Sequence, residues 1–236
     1  MVATDTALLR ANASGQNFVM HLRAGATLPV LREVTFEVHA GECVVLDGPS
    51  GIGKSCILKM IFGNYRIDAG SILVRQGREW TDVARASPRD VLRLRQCVIG
   101  YISQFLRTIP RVGALDVRGS IRAGQWTRRG RCPGASGRSA LRGSPSRKRL
   151  WQLPPATFSG GEQQRINIAR GFVAMHPVLL LRRADGLALD QTNCAAVVEF
   201  IRHRKRAGTA LVGIFHDEDV KRQVADRSID VSRFRA

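Results

Sequence analysis

The strongest constraint on this chain is Gly48-Pro49-Ser50-Gly51-Ile52-Gly53-Lys54-Ser55, between the apolar run Cys43-Val44-Val45-Leu46 and the segment Cys56-Ile57-Leu58-Lys59-Met60-Ile61-Phe62. It has the form G-x-x-x-x-G-K-[ST], and a β-branched run before it with a helical pattern after it supplies the strand, loop and helix that such a match requires. Gly48, Gly51 and Gly53 let the backbone turn its N–H groups inward, where side chains would block phosphate oxygens. Lys54 can reach the outer phosphates of a nucleotide, Ser55 can offer its hydroxyl to Mg²⁺, and the helix beginning near Cys56 presents its positive N-terminus to the anion. The alternative, a glycine turn followed by a chance Lys-Ser pair, does not account for the flanking strand and helix.

A length of 236 residues suits one α/β domain with a smaller inserted lobe. No apolar run approaches eighteen residues, and Asp5, Arg10 and the stretch Asn12 to Asn17 interrupt any secretory leader. A soluble cytoplasmic product with no direct membrane insertion is therefore expected. The cysteines Cys43, Cys56, Cys97, Cys132 and Cys194 form no C-x-x-C pair, so they are expected as reduced thiols and not as a zinc site.

The net charge of +18 is unevenly spread, because ten basic and no acidic residues lie between Arg118 and Arg149. That Arg/Gly/Ser/Pro-rich stretch has no helical period. A basic RNA-binding tail is the competing reading, but Trp126 alone interleaves the charges, so nucleic acid is not the expected partner.

Along the chain, Val30 to Val38 alternates as a half-buried strand and Ala40-Gly41-Glu42 turns it into Cys43 to Leu46. The first 29 residues carry a weaker strand signal. Phe18 there can stack on an adenine ring or fill the core as a strand aromatic. Ser71 to Val74 reads as a strand before a Gln76-Gly77 hairpin, Arg89 to Arg95 as a short helix, and Val98 to Gln104 as a strand ending in glutamine. A second anion site is written in Phe158-Ser159-Gly160-Gly161-Glu162-Gln163-Gln164-Arg165, which opens an amphipathic helix; an ordinary serine N-cap is its alternative.

Together these residues resemble the ATP-binding-cassette (ABC) ATPases from about Val30 to Ala225. The resemblance implies an α/β P-loop NTPase fold with a mixed sheet core, an antiparallel β lobe and a small inserted helical lobe. One domain would then span residues 1–236, with the lobe at 105–157, of which 118–148 is atypical. It also implies Gly48 to Ser55 with Cys56 as the nucleotide loop, Gln104 as the metal-linked glutamine beside Ser55, and Ser159, Gly160, Gly161 and Glu162 as the signature contacting ATP across a dimer. His216, after Leu211 to Phe215, would be the switch histidine, or else a histidine capping a strand end. ATP and Mg²⁺ are the implied cofactors, and the partner is a second copy or a sister cassette.

The stretches Ser103 to Arg111, Thr157 to Phe172 and Gly213 to Glu218 look like the L-type ATP-binding subunit of the carbon–phosphorus lyase system, which breaks down phosphonates. That likeness implies carbon–phosphorus lyase subunits as partners. Lipoprotein-release and macrolide-exporter cassettes share most of these motifs and form the alternative.

One departure bears on activity. After Val178 to Leu181 the family writes Asp-Glu-Pro-Thr-x-x-Leu-Asp, with one carboxylate for Mg²⁺ and one for the attacking water. This chain has Arg182-Arg183-Ala184-Asp185-Gly186-Leu187-Ala188-Leu189-Asp190. Displacing the reading frame of the family stretch yields Arg-Ala-Asp-Gly-Leu-Ala, the residues from Arg183 to Ala188, and the frame returns at Leu189-Asp190. A compensated frameshift accounts for this stretch and for 118–148. A chain so altered is expected to hold nucleotide without turning it over, whereas an intact family member hydrolyses it. Like charge near Mg²⁺ and Lys54 is expected to turn the arginines toward solvent or onto phosphate.

Overall fold

The computed structural model describes residues 5–20, 26–103, 175–182 and 191–236. Antiparallel and parallel pairing are divided between two sheets. The first is antiparallel, ordered β2-β1-β4-β5 and built from β1 (Ala7–Met20), β2 (Ala26–His39), β4 (Ala69–Gln76) and β5 (Glu79–Asp82). The second is ordered β6-β7-β8-β3-β9, from β3 (Cys43–Asp47), β6 (Ile99–Ser103), β7 (Val178–Arg182), β8 (Ala210–Ile214) and β9 (Arg227–Asp230). All its recorded pairings are parallel. This is the expected α/β architecture with an antiparallel lobe. The proposed inserted lobe at 105–157 lies outside the described residues.

The central strands are apolar on both faces because both faces are covered. On one side Val44, Leu46, Val178, Leu180, Val212 and Ile214 join α1 (Lys54–Ile61) and the antiparallel sheet in a single cluster. On the other, Cys43, Val45, Leu179, Leu181 and Leu211 pack with Val197, Val198 and Ile201 of α3 (Gln191–Arg206) and Val220 and Val224 of α4 (Glu218–Val224). Each fully buried aliphatic side chain contributes about 1.5–3 kcal/mol relative to exposure, so this alternation holds the sheet edge that carries the site.

Helix α2 (Pro88–Cys97) begins where Ser87 accepts a hydrogen bond from the Asp90 N–H at 3.3 Å, with proline at its start where no N–H is needed. Strand β1 is longer than its sequence signal suggested. It crosses the polar stretch from Asn12 because it pairs with β2 on one side and β4 on the other, so its backbone is satisfied whatever its side chains are. Ser14, fully buried, donates to the Ser71 carbonyl at 2.8 Å, and register shifts near Ala11 and Ser14 absorb the irregularity. Cys43, Cys56 and Cys194 are free thiols as expected, but Cys97 is disulfide-bonded, which corrects the expectation for that residue.

Candidate functional site

Parallel pairing sets the site before any side chain is considered. The C-terminal ends of β7, β8 and β3 lie on one edge of the sheet, the edge at which open α/β sheets bind ligands. Gly48 to Ser55 leaves β3 at that edge, His216 follows β8, and Arg182 closes β7.

The loop is shaped by its backbone. Gly53 stands at the N-cap of α1 in a left-handed conformation, φ 109°, and no side chain caps the helix. Its carbonyl accepts from the Cys56 and Ile57 N–H groups at 2.8 and 3.1 Å, closing the first turn. A Cβ at Gly53 would sit 2.8 Å from Leu31 Cδ2, so both conformation and space demand glycine there. Ile52 is buried, whereas Pro49, Ser50 and Gly51 are exposed. Lys54 Nζ folds back over the loop, donating to the Gly48 carbonyl and, at 2.9 Å, to the Pro49 carbonyl. Ser55 and Cys56 are half-buried in the first turn of α1. The arrangement offers a cation, an exposed glycine-rich backbone and an uncapped helix start, which together favour an anion.

Asp47, the last residue of β3, accepts from the Gly48 N–H at 2.9 Å and pairs with Lys221 of α4. The Lys221 hydrogen bond holds the Asp47 carboxyl below the usual carboxylate range, and the same bond raises the Lys221 amine. Sequence reasoning missed this pair; Asp47 adjoins the motif, but nothing near Lys221 pointed to it. A cleft of about 700 Å³ lies on the outer side of the loop, lined by Asp47, Gly48, Pro49, Arg227, Asp230 and Arg233 among others. Neither Lys54 nor Ser55 lines it, so it adjoins the loop without being its mouth.

Arg182 does not turn fully out to solvent, one of the two outcomes expected for the arginines, and Arg183 lies outside the described residues. It is half-buried, and Leu180 and Val178, two and four residues back on the same strand face, pack in the cluster that contains α1. Its guanidinium is in hydrogen-bonding contact with the Tyr101 hydroxyl and close enough to act electrostatically on Cys56. Burial raises both the Tyr101 phenol and the Cys56 thiol, and Arg182 partly opposes each rise. Tyr101 in turn meets Phe62 with ring centroids 5.1 Å apart and planes tilted by 43°.

His216 is exposed at the end of β8, behind buried Phe215. Phe18 lies in β1 with its Cα opposite Leu28, and its side chain is not among those described. Gln104 and Ser159, Gly160, Gly161 and Glu162 lie outside the described residues. The donors expected for Mg²⁺ therefore reduce, among the described residues, to Ser55, with no described carboxylate at the end of β7, where the strand closes on Arg182. This set does not fit a divalent metal.

Comparison with known proteins adds identity to this geometry. The profile of the family described as ABC transporter matches residues 31–182. The lipoprotein-releasing system ATP-binding protein LolD 2 of Caulobacter vibrioides is 34% identical over 209 residues, 88% of this chain and 83% of its own. The hemin import ATP-binding protein HmuV of Bradyrhizobium diazoefficiens is 33% identical, over 89% of this chain and 76% of its own. Among solved structures, the dimeric bacterial ABC transporter cassette MJ0796 superposes with a TM-score of 0.78 at 21% identity, covering 95% of each chain. The MJ0796 cassette also has a dimeric post-hydrolysis structure bound to ADP and Pi, with the same TM-score and coverage. Strand order, loop and sequence relatives agree: the chain belongs to the ABC transporter family, as an ATP-binding cassette.

Proposed function

We propose that this chain binds ATP at Gly48 to Ser55 and is impaired in hydrolysing it. The observation that carries the reading is the loop itself, with Gly53 left-handed beneath Leu31, Lys54 folded over the loop carbonyls and the start of α1 uncapped. On phosphate binding, Lys54 exchanges the Gly48 and Pro49 carbonyls for phosphate oxygens, a charge-assisted bond in place of two neutral acceptors. Pro49, Ser50, Gly51, Ile52 and Cys56 shape the cradle, and Phe18 is the proposed adenine contact. His216, at the same sheet edge, is proposed to face the outer phosphate. Gln104 and Ser159 to Glu162 are proposed to complete the site, the latter from a second subunit, a copy of this chain or a sister cassette. The dimeric MJ0796 structures support that arrangement by their fold.

The impairment follows from Arg182 and Arg183. Phosphoryl transfer to water needs an oriented nucleophile, and a guanidinium can neither accept its proton nor hold it as a carboxylate does. Titration with ATP and continuous phosphate-release measurement test both halves. Binding without release supports the proposal, and turnover on the order of one per second or faster refutes the impairment.

We further propose that the pathway is phosphonate breakdown by a carbon–phosphorus lyase system, on the likeness of Ser103 to Arg111, Thr157 to Phe172 and Gly213 to Glu218. The Caulobacter relative favours a second reading, service to a lipoprotein-releasing transporter. Neighbouring genes discriminate: lyase subunits beside this gene support the first, and a permease gene supports the second. No helix among the described residues is long and apolar enough to cross a membrane.

A further inference from the structure

We infer that the outer face of α2 docks an acidic, amphipathic helix of a partner protein, with Arg89 and Arg93 receiving its carboxylates and Leu92 its apolar side chain. The inference goes beyond nucleotide binding and does not depend on it.

The inner face of α2 is fully used by the fold. Val91 lies over Gly63, where a Cβ would sit 2.8 Å from Val91 Cγ1, and Leu94 is buried in the core that holds α1. Arg95 donates to the Phe62 carbonyl at 2.9 Å and to Asn64 Oδ1 at 2.7 Å. Arg89, Leu92, Arg93 and Gln96 recur at helical spacing on the opposite face, and all four are exposed. Leu92, 56% exposed, is the most exposed large apolar side chain among the described residues.

The fold leaves the charge on this face unused. Among the described residues neither the Arg89 nor the Arg93 side chain has a hydrogen bond or ion pair. Asp90, the one acid of the helix, is held at its start, where Ser87 Oγ donates to Asp90 Oδ2 at 2.6 Å. Arg89 and Arg93 stand four residues apart, where like charges repel, and Arg89 lies in the first turn, where the helix dipole disfavours a cation. A lone exposed leucine is ordinary. One set between two cations that work against their own helix is a local conflict, and an acidic partner resolves it.

The complement comes from another protein. The acids on the described helices are already engaged, Asp90 by Ser87, Glu199 by Arg206, Glu218 by Lys221 and Asp219 by Arg222, so no described helix of a second copy offers free carboxylates. The stretch between Arg118 and Arg149, with ten basic and no acidic residues, has the wrong charge. An anionic membrane is held by clusters of roughly four to eight basic residues, more than this face presents. Guanidinium forks, by contrast, match carboxylates one to one.

The test is fluorescence anisotropy of the full chain with a labelled, alanine-based helical peptide that carries a leucine between glutamates one turn apart, in about 0.15 M salt. The peptide should bind, and about tenfold more weakly when glutamine replaces its glutamates. Arg89→Glu with Arg93→Glu should cause a similar loss, and a lysine version of the peptide should bind that variant. Leu92→Ala should weaken the wild-type complex about fivefold. Arg202→Glu with Arg206→Glu makes the same change of charge on α3, across the sheet, and should alter binding less than about twofold. Circular dichroism confirms the folds; glutamate at position 89 suits a helix start. Equal losses in the α2 and α3 variants would trace binding to net charge and overturn the inference. Failure of the glutamate peptide to bind, or of the lysine peptide to bind the reversed variant, overturns it too. Cosedimentation with phosphatidylserine vesicles that needs Arg89, Leu92 and Arg93, without peptide binding, would assign the face to a membrane instead.

Discussion

Asp47 and Lys221, 174 residues apart in sequence, form an ion pair that ties the strand feeding the phosphate loop to the helix after His216. Lys221 also reaches Glu218 at 3.4 Å, and it is the more buried partner, so the pair is anchored from the helix side. The loop strand and the segment after His216 are thereby held to each other at one end of the sheet.

Replacing Asp47 by Asn should cost little at neutral pH, at most about 1 kcal/mol, because the carboxylate is half exposed. The pH dependence identifies the pair. The Asp47 pKa is depressed, so its contribution is present above the unfolded value near 4 and is lost as pH falls through the folded value. The Lys221 pKa is raised, so its contribution is present below the unfolded value near 10.4 and is lost as pH rises through the folded value. Urea midpoints of wild type and Asp47→Asn should differ by a constant amount from about pH 5 to 9 and converge outside that window. A pH-independent difference throughout would mean that the pair makes no electrostatic contribution.

His176 should make the fold acid-sensitive. Burial, assisted by the nearby Arg204 charge, lowers its pKa from 6.5 to about 4, and its Nδ1 is buried without a partner. A depressed folded pKa gives stability that is present above the unfolded value and lost as pH falls toward the folded one. Between roughly pH 6.5 and 4 the chain should lose on the order of 3 kcal/mol from this group alone. His176→Gln should flatten that limb of the stability profile; a profile identical to wild type would exclude His176 as its source.

Gly53→Ala should destabilise the chain by roughly 2 kcal/mol or more, since the left-handed conformation is strained for alanine and its Cβ would meet Leu31 at 2.8 Å. Gly51→Ala, also at positive φ but with nothing within 4 Å, should carry only the conformational part of that cost, about 1 kcal/mol. Chemical denaturation of the two variants should rank them in that order. Equal losses would show that contact with Leu31 contributes nothing.

Lys54→Ala should abolish ATP binding while leaving the melting temperature within a few degrees of wild type, because its bonds are to carbonyls of the loop itself, at Gly48 and Pro49. Replacing residues 183–188 with Asp-Glu-Pro-Thr-Ala-Ser should raise phosphate release by orders of magnitude once 118–148 is also exchanged for a family-like helical lobe. No gain in that double replacement would show that the lost carboxylates do not limit this protein.

The loop was legible because it is local. Cys43 to Leu46 makes a strand buried on both faces, the glycines permit the turn, and Ile57, Leu58, Met60 and Ile61 give α1 its buried stripe. Helix α2 was legible as Arg89 to Arg95 and runs from Pro88 to Cys97, its Ser87 cap lying just before the stretch so read. Strand β1 was less legible, since its polar centre is supported by two neighbouring strands and not by its own alternation. Strand β9 is four mostly exposed residues that form a strand because β3 offers them a free parallel edge.

What the sequence determined by itself was chemistry over short spans: the phosphate loop between strand and helix, and cations in place of the family's carboxylates after β7. Neighbouring φ/ψ preferences and side-chain types suffice for such statements. Only the tertiary structure decided that Arg182 faces Tyr101 and Cys56 and not solvent, and that Asp47 meets Lys221. Those outcomes depend on which strands pair and in what register, and the pairing is set by burial of both sheet faces against elements distant along the chain.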